Sequence, residues 1–280
     1  MFAAPFDYAR PKTLDEALAL LSKHGDEAKL LAGGHSLIPA MKLRLAQPKV
    51  LVDIARLDAL RRIEERDGRL VIGALVTHAE IAADRTVASR CPLLAEAAAA
   101  IGDVQVRNKG TIGGSLVHAD PAADWPAAIL ALDAELDIAG PKGRRTVKAG
   151  DFFVDLLETA VKPNEILCEI RVPATGALVA YVKTEQKASG FALCGVAAVV
   201  DAAGKRVRVG ITGVAPVPYR AAAVERALDG QPLNAKTIAE AARHAAGGVT
   251  PLGDIHASPE YRAHLAAVNT ARALERAASR

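Results

Sequence analysis

Two glycine-rich segments carry the residues best suited to bind a phosphorylated ligand. The first is Gly33-Gly34-His35-Ser36, and the second is the GTIGGS run at 110–115. Consecutive glycines permit positive φ angles and let the backbone come close to a ligand. Successive N–H groups in such a loop can turn inward as an anion-binding nest, and Ser36, Thr111 and Ser115 add hydroxyl donors. Either segment alone fits an ordinary turn, but the two together predict loops that clamp a diphosphate.

Signatures of other common sites are missing from the sequence. No GxGxxG opens a helix and no GxxxxGK[ST] occurs, which argues against Rossmann and P-loop sites. HExxH and GxSxG are also absent. The three cysteines, Cys91, Cys168 and Cys194, lie far apart without a CxxC pair. The chain therefore predicts neither a zinc site nor an iron–sulfur cluster of its own.

The residues around both glycine segments resemble the flavin motifs of the medium subunits of molybdenum hydroxylases, the xanthine dehydrogenase family. The first match is LAGGHSLIP at 31–39, continued by MKLRLA at 41–46. The second is NKGTIGGSL at 108–116, followed by HADPAADWP at 118–126. Within this family the FAD subunits of aerobic carbon monoxide dehydrogenase are the most similar, and the resemblance spans essentially the whole chain.

The resemblance implies an α+β fold. A bipartite FAD-binding domain of the PCMH type is expected at 1–175, with subdomains at roughly 1–55 and 56–175. A small C-terminal domain of antiparallel sheet and helices, of the carbon monoxide dehydrogenase flavoprotein type, is expected at 176–280. The sequence pattern also favours α+β, because its strand and helix signals do not alternate strictly.

Local signals predict several element boundaries. Capping boxes at Thr13 and Thr77 predict helix starts, and Asp67-Gly68 predicts a hairpin turn. The second glycine segment, 110–115, is interpreted as a loop, and 219–229 predicts a helix.

The resemblance assigns cofactor-binding residues by position. Residues 29–37 would lie along the FAD diphosphate, and the second segment would contact it from the other side. Asp124 would hydrogen-bond the adenosine or ribityl part, whereas Ile101, Leu167 and Lys183 would lie near the flavin or adenine end. The full set is Lys29, Leu30, Leu31, Ala32, Gly33, Gly34, His35, Ser36, Leu37, Ile101, Thr111, Gly113, Gly114, Ser115, Asp124, Leu167 and Lys183.

The aromatic partner of the flavin is less clearly marked. Residues 185–191 depart from the family pattern, which often carries paired basic residues and a Tyr or Trp. Phe191 is a candidate for stacking on the flavin, with packing in the core as the alternative. His78 could approach the flavin, but a surface position is favoured.

The resemblance implies an oxidoreductase subunit that transfers electrons through FAD. Reducing equivalents from a molybdenum centre would pass through iron–sulfur clusters to FAD and then to quinone, NAD or oxygen. The metals would belong to a small 2Fe-2S subunit and a large molybdopterin subunit, in a dimer of heterotrimers. No catalytic side chain and no metal ligand is expected in this chain.

Two other functions stay open from the residues. Gly-Gly-His resembles the attachment loops of FAD oxidases whose flavin is covalently linked, and here the link would be to His35. A scaffold or assembly protein that merely binds a dinucleotide is the non-enzyme alternative.

Composition excludes several classes. The 280 residues are 51% hydrophobic, which is too apolar for disorder. A net charge of +3 and 4% aromatics argue against nucleic-acid binding. No signal peptide and no apolar run of the ~18 residues needed for a membrane span is found. The sequence therefore predicts a cytoplasmic protein without a membrane span.

Overall fold

The N-terminal unit is a small parallel sheet with two helices. The computed structural model describes residues 2–174, 176–201 and 206–280. The elements of this unit are β1 (Asp7–Ala9), α1 (Leu14–His24), β2 (Ala28–Leu31), α2 (Leu37–Lys42) and β3 (Val50–Asp53). The strand order is β1-β3-β2, with both pairs parallel. The carboxyl end of β2 therefore leads directly into the first glycine segment.

Helix α1 begins where the sequence predicts. The Thr13 hydroxyl accepts from the Glu16 amide at 3.1 Å, as a helix N-cap does. The Glu16 carboxylate accepts from the Lys12 amide rather than from Thr13, so the reciprocal half of the capping box is displaced by one residue. Leu21 and Ala17 face the core of this unit, and Gly25 ends the helix at φ +53°.

The second unit is built on a five-stranded antiparallel sheet. Its strands are β4 (Ile63–Arg66), β5 (Arg69–Gly73), β6 (Glu135–Gly140), β7 (Gly143–Lys148), β8 (Phe153–Asp155), β9 (Glu158–Thr159) and β10 (Ile166–Pro173). Its helices are α3 (His78–Ala83), α4 (Arg85–Arg90), α5 (Pro92–Ala100), α6 (Val104–Arg107), α7 (Ile112–His118) and α8 (Trp125–Ala131). The sheet order is β4-β5-β10-β6-β7, and β8 pairs separately with β9. One face of the sheet is covered by the helices, which bury a core that includes Trp125 and Leu70.

The predicted loop at 110–115 is wrong from Ile112 onward, because α7 begins there. The predicted hairpin is confirmed: Asp67 and Gly68 both have positive φ and join β4 to β5. The capping box at Thr77 is also confirmed, with Glu80 bonding back to the Thr77 amide at 2.7 Å.

The C-terminal unit has a four-stranded antiparallel sheet between two helical layers. Its elements are β11 (Leu178–Glu185), β12 (Ala192–Val200), β13 (Val207–Thr212), β14 (Tyr219–Arg220), α9 (Ala222–Leu228), α10 (Ala235–Ala242) and α11 (Pro259–Ala278). Helix α11 packs on β11 and β12, whereas α5 and α8 of the second unit cover the other face. The predicted helix at 219–229 starts only at Ala222, because Tyr219 and Arg220 pair with β13.

The mixture of helices with mainly antiparallel sheets confirms the predicted α+β class. The predicted domain boundary at 175 falls on a residue outside the described ranges. Three short 3-10 turns complete the described elements, at Gly25–Glu27, Asp58–Leu60 and Ala149–Asp151. None of the described helices is both long and apolar enough to cross a lipid bilayer.

Candidate functional site

The first glycine segment is an open turn between β2 and α2. Its Gly34 has φ +76°, a conformation that favours glycine. Among the described residues, no hydrogen-bond acceptor is found for the backbone amides of 33–37, and His35 and Ser36 are exposed. These unpaired donors are compatible with the predicted anion nest, which stays a prediction. The predicted residues of this segment are Lys29, Leu30 and Leu31 in β2, followed by Ala32, Gly33, Gly34, His35, Ser36 and Leu37.

The second glycine segment is a helix start rather than a loop. Thr111 caps α7, and its hydroxyl accepts from the Gly114 amide at 3.1 Å. The Gly113 amide donates to Ala74 O at 2.9 Å, and the Ser115 amide to Thr111 O at 3.0 Å. The prediction of a second backbone nest is therefore wrong, because these amides already have partners inside the protein.

The two segments lie against each other, as the diphosphate hypothesis requires. A Cβ added at Gly33 would lie 1.9 Å from the carbonyl oxygen of Lys109 and 2.9 Å from Gly110 Cα. A Cβ added at Gly114 would lie 3.8 Å from the Cβ of Ala32. Only glycine at position 33 allows this backbone contact, so this turn joins the two motifs.

The surface where the segments meet fits a dinucleotide phosphate. It offers the unpaired amides of 33–37 and the exposed Cα of Gly114. The hydroxyls of Ser36 and Ser115 have no hydrogen-bond partner in the described part of the chain. Backbone amides and hydroxyls are neutral donors suited to phosphate oxygens, so the chain's own residues are compatible with a bound diphosphate.

Asp124 and Lys183 form a buried ion pair between the second unit and the C-terminal unit. The Lys183 Nζ lies 3.0 Å from Asp124 Oδ1 and also donates to Ala100 O at 2.6 Å and Gly190 O at 2.7 Å. The Tyr181 hydroxyl donates to Asp124 at 2.5 Å. Three acceptors thus surround the ammonium group. The structure places both predicted residues together, but their charged groups already bond to each other and to other groups of the protein.

Burial changes the titration of this group of side chains. Burial raises the pKa of Asp124 to about 6, although the Lys183 ammonium and the Tyr181 hydroxyl act in the opposite direction. Burial and the neighbouring Asp124 raise the pKa of Tyr181 well above its usual value. The Tyr181 proton therefore stays on the hydroxyl and is donated to Asp124.

Ile101 and Leu167 occupy different surroundings. Ile101 follows α5 directly after the Ala100 carbonyl that Lys183 bonds, and 9% of it is exposed. Leu167 lies in β10 opposite Ile138 and is buried in the core beneath the helices. The structure thus places Ile101 beside the Asp124–Lys183 pair and gives Leu167 a packing role.

The structure corrects the expected surface position of His78 and removes one of the two interpretations of Phe191. His78 was expected at the surface, but it is 4% exposed and accepts a hydrogen bond on Nδ1 from Trp125 Nε1 at 3.0 Å. Phe191 is 56% exposed, so the core-packing alternative is wrong. Its stacking on a flavin stays a prediction. No local signal marks His78, because its partner lies 47 positions later in the chain.

The described residues contain no group of three His, Cys, Asp or Glu side chains placed to hold a metal ion. Cys91, Cys168 and Cys194 are free and buried.

Comparisons with known proteins cover the whole chain. Residues 4–175 match the family of the FAD-binding domain in molybdopterin dehydrogenase, and 179–277 match the CO dehydrogenase flavoprotein C-terminal domain. The carbon monoxide dehydrogenase medium chain of Hydrogenophaga pseudoflava is 41% identical, over 100% of this chain and 99% of that protein. The 6-hydroxypseudooxynicotine dehydrogenase complex subunit alpha of Paenarthrobacter nicotinovorans is 36% identical, over 98% and 95%.

A solved structure shares the fold at full length. It is carbon monoxide dehydrogenase from Hydrogenophaga pseudoflava lacking the Mo-pyranopterin moiety of the molybdenum cofactor. Its matching chain superposes with a TM-score of 0.96 at 43% identity, covering 100% of this chain and 99% of that chain. Fold, glycine motifs and relatives agree on an oxidoreductase subunit with FAD as its cofactor. The chain belongs to the family of FAD-binding medium subunits of the molybdenum hydroxylases.

Proposed function

We propose that this chain is the electron-transfer subunit of a molybdenum hydroxylase complex of the carbon monoxide dehydrogenase type. The observation that carries the proposal is the contact of the two glycine motifs beside a row of unpaired backbone amides. When bound, FAD accepts electrons delivered by iron–sulfur clusters and passes them to an external acceptor. We propose quinone, NAD or oxygen as this external electron acceptor.

The residues of this chain would hold and position the cofactor. The amides of 33–37 would donate to the diphosphate, with the Ser36 and Ser115 hydroxyls beside them. Thr111 would act through α7, because its hydroxyl fixes the helix start at Gly114. Asp124 and Lys183 would act mainly by fixing β11 against α5 and α8, since their charges already face each other. None of these groups needs to transfer a proton.

The metal centres would belong to other chains. We propose a small 2Fe-2S subunit and a large molybdopterin subunit as partners, assembled as a dimer of heterotrimers. The relatives support this, because their names describe a medium chain and a subunit of a complex. Their names also indicate different substrates, and we propose carbon monoxide here on the basis of the greater identity to the carbon monoxide dehydrogenase chain. A cytoplasmic location stays a prediction, compatible with three free thiols.

Purification of the native complex tests this proposal. We expect the chain to co-purify with two other polypeptides that carry iron, sulfide and molybdenum, and we expect its flavin to be reduced when carbon monoxide is added. Flavin reduction by an aldehyde or an N-heterocycle instead would overturn the substrate. A chain that purifies alone, turns over a substrate and keeps flavin on its denatured polypeptide would support the oxidase linked at His35.

A further inference from the structure

His78 lies directly beneath the second glycine motif. It is the first residue of α3, and its backbone amide donates to Gly110 O at 3.0 Å. A Cβ added at Gly110 would lie 2.6 Å from His78 Nε2. The Cα of Gly110 also faces Gly33 across the contact between the two motifs. The imidazole thus lies beside the junction at which the diphosphate is proposed to bind.

The neighbour on the other side fixes the tautomer of His78. Trp125 Nε1 can only donate a hydrogen bond, and it does so to His78 Nδ1 at 3.0 Å. Nδ1 must therefore be the unprotonated nitrogen, and in the neutral ring the proton is on Nε2. Burial lowers the pKa of His78 to about 4, with smaller contributions from His35 and Arg107 in the same direction. The ring is neutral at physiological pH, so the Nε2–H group is fixed.

The Nε2–H group has no acceptor among the described residues. The Nε2 atom is nevertheless not fully buried. In the described ranges, the fully buried side-chain nitrogen and oxygen atoms without a hydrogen-bond partner are Arg262 Nε and Thr270 Oγ1 only. Because Nε2 is not among them, part of its surface stays accessible, and Gly110 is its close neighbour. A nearly buried donor without a partner is costly unless a ligand or water completes it.

We propose that His78 is a cofactor-binding residue that donates a neutral hydrogen bond from Nε2–H to an oxygen of the FAD diphosphate. Trp125 is the positioning residue that holds the ring in the donating tautomer. The inference rests on the proposed binding of the diphosphate at the junction of the two glycine motifs. It adds a side-chain donor from α3 to a site otherwise built from backbone amides and hydroxyls.

Two substitutions separate donation from packing. His78→Asn keeps a polar atom near Nδ1 that can accept from Trp125, but it removes the group at Nε2. His78→Gln instead places an amide N–H near the position of Nε2. A hydrogen bond to a charged acceptor corresponds to roughly a tenfold change in affinity or more. We therefore expect His78→Asn to weaken FAD binding to the apo-protein at least about tenfold, and His78→Gln to recover most of that loss.

The measurements are the FAD dissociation constant, from quenching of flavin fluorescence, and thermal unfolding of each apo-protein. Nitrogen-15 spectra of the wild-type histidines give an independent reading that needs no variant. We expect an Nε2-protonated tautomer for His78 and a change in its Nε2 shift when FAD is added.

Undiminished FAD affinity in a folded His78→Asn variant would overturn the inference, as would an Nε2 shift that saturating FAD leaves unchanged. If the wild-type apo-protein bound no FAD at all, the proposed function itself would fail, and this inference with it. The two failures are therefore distinguishable.

Discussion

Gly33 has the strictest steric requirement in the site. A methyl group there would meet the carbonyl oxygen of Lys109 at 1.9 Å, and that oxygen belongs to the backbone. The side chain cannot rotate away from such a contact, so one of the two motifs must move. Gly150 offers a matched contrast, because nothing lies within 4 Å of an added Cβ and its φ is ordinary.

We therefore predict that Gly33→Ala weakens FAD binding strongly and lowers the free energy of unfolding by about 1–3 kcal/mol, the usual cost of overpacking. Gly150→Ala should leave both quantities unchanged. Fluorescence titration with FAD and urea denaturation of the two apo-proteins measure this. Normal affinity and stability in Gly33→Ala would show that the motifs do not meet as described.

At the same scale, the sequence indicated which two segments lie together better than it indicated their conformations. The first segment forms the open turn that its glycines predict. The second forms a helix start although two glycines disfavour a helix by ~1 kcal/mol each relative to alanine. Its helix depends on the Thr111 cap and on the distant Ala74 carbonyl. The burial of His78 likewise depends on Trp125, which no local pattern connects to it.

Two elements carry buried titratable groups that act on stability in opposite directions. Asp124, next to α8, has its pKa raised to about 6, so the folded state binds its proton more readily than the unfolded chain does. Proton binding at Asp124 therefore stabilises the fold at low pH, and this contribution is lost as the pH rises through about 6. His78, at the start of α3, has its pKa lowered to about 4. The unfolded chain then takes up that proton first, and stability is lost as pH falls below 6.5.

Removing either group should expose the effect of the other. When the pH is lowered from about 6.5 to about 5, the free energy of unfolding of Asp124→Asn should fall by roughly 1 kcal/mol relative to that of the wild type. His78→Asn should shift the other way by a similar amount, so that it becomes more stable at the lower pH relative to the wild type. Urea denaturation at the two pH values checks this. Parallel pH dependence in all three proteins would contradict it.

Elements with strong hydrophobic patterns were predictable, and short exposed ones were not. Strand β12 is buried along nearly its whole length, and its apolar run marks it clearly. Strand β1 has only three residues, two of them exposed, and it forms because β3 provides a parallel partner. That pairing makes the N-terminal unit locally parallel, a feature that the pattern of the whole chain does not reveal.

On the scale of the whole molecule, the C-terminal unit and the second unit are packed as one body. A Cβ added at Gly210 of β13 would lie 2.1 Å from Ala127 O of α8. Tyr181 and Val199 belong to the same buried cluster as Trp125. The C-terminal unit therefore braces the helices that carry the site.

The surface next to the first motif exposes two large apolar side chains. Helix α2 begins at the motif and is followed by Leu43 and Leu45, which are 53% and 80% exposed. Exposed apolar side chains of this kind mark interaction surfaces when they cluster. A subunit that delivers electrons must also approach the flavin, so we expect contact here.

We predict that Leu45→Asp reduces co-purification of the partner chains several-fold without changing the FAD content of this chain. Ile255→Asp is the matched control, because Ile255 is 94% exposed and lies in the C-terminal unit. Affinity purification with a tag on this chain, followed by quantification of the partners, gives the comparison. Equal recovery with both variants would place the interface elsewhere.

We propose that this chain holds FAD noncovalently as a redox cofactor. Acid precipitation of the purified protein, with the flavin in pellet and supernatant quantified, tests it most directly. We predict a single FAD per chain, all of it released to the supernatant, and reversible bleaching near about 450 nm by dithionite before precipitation. Flavin that stays with the pellet, or a protein without reducible flavin, would contradict the account.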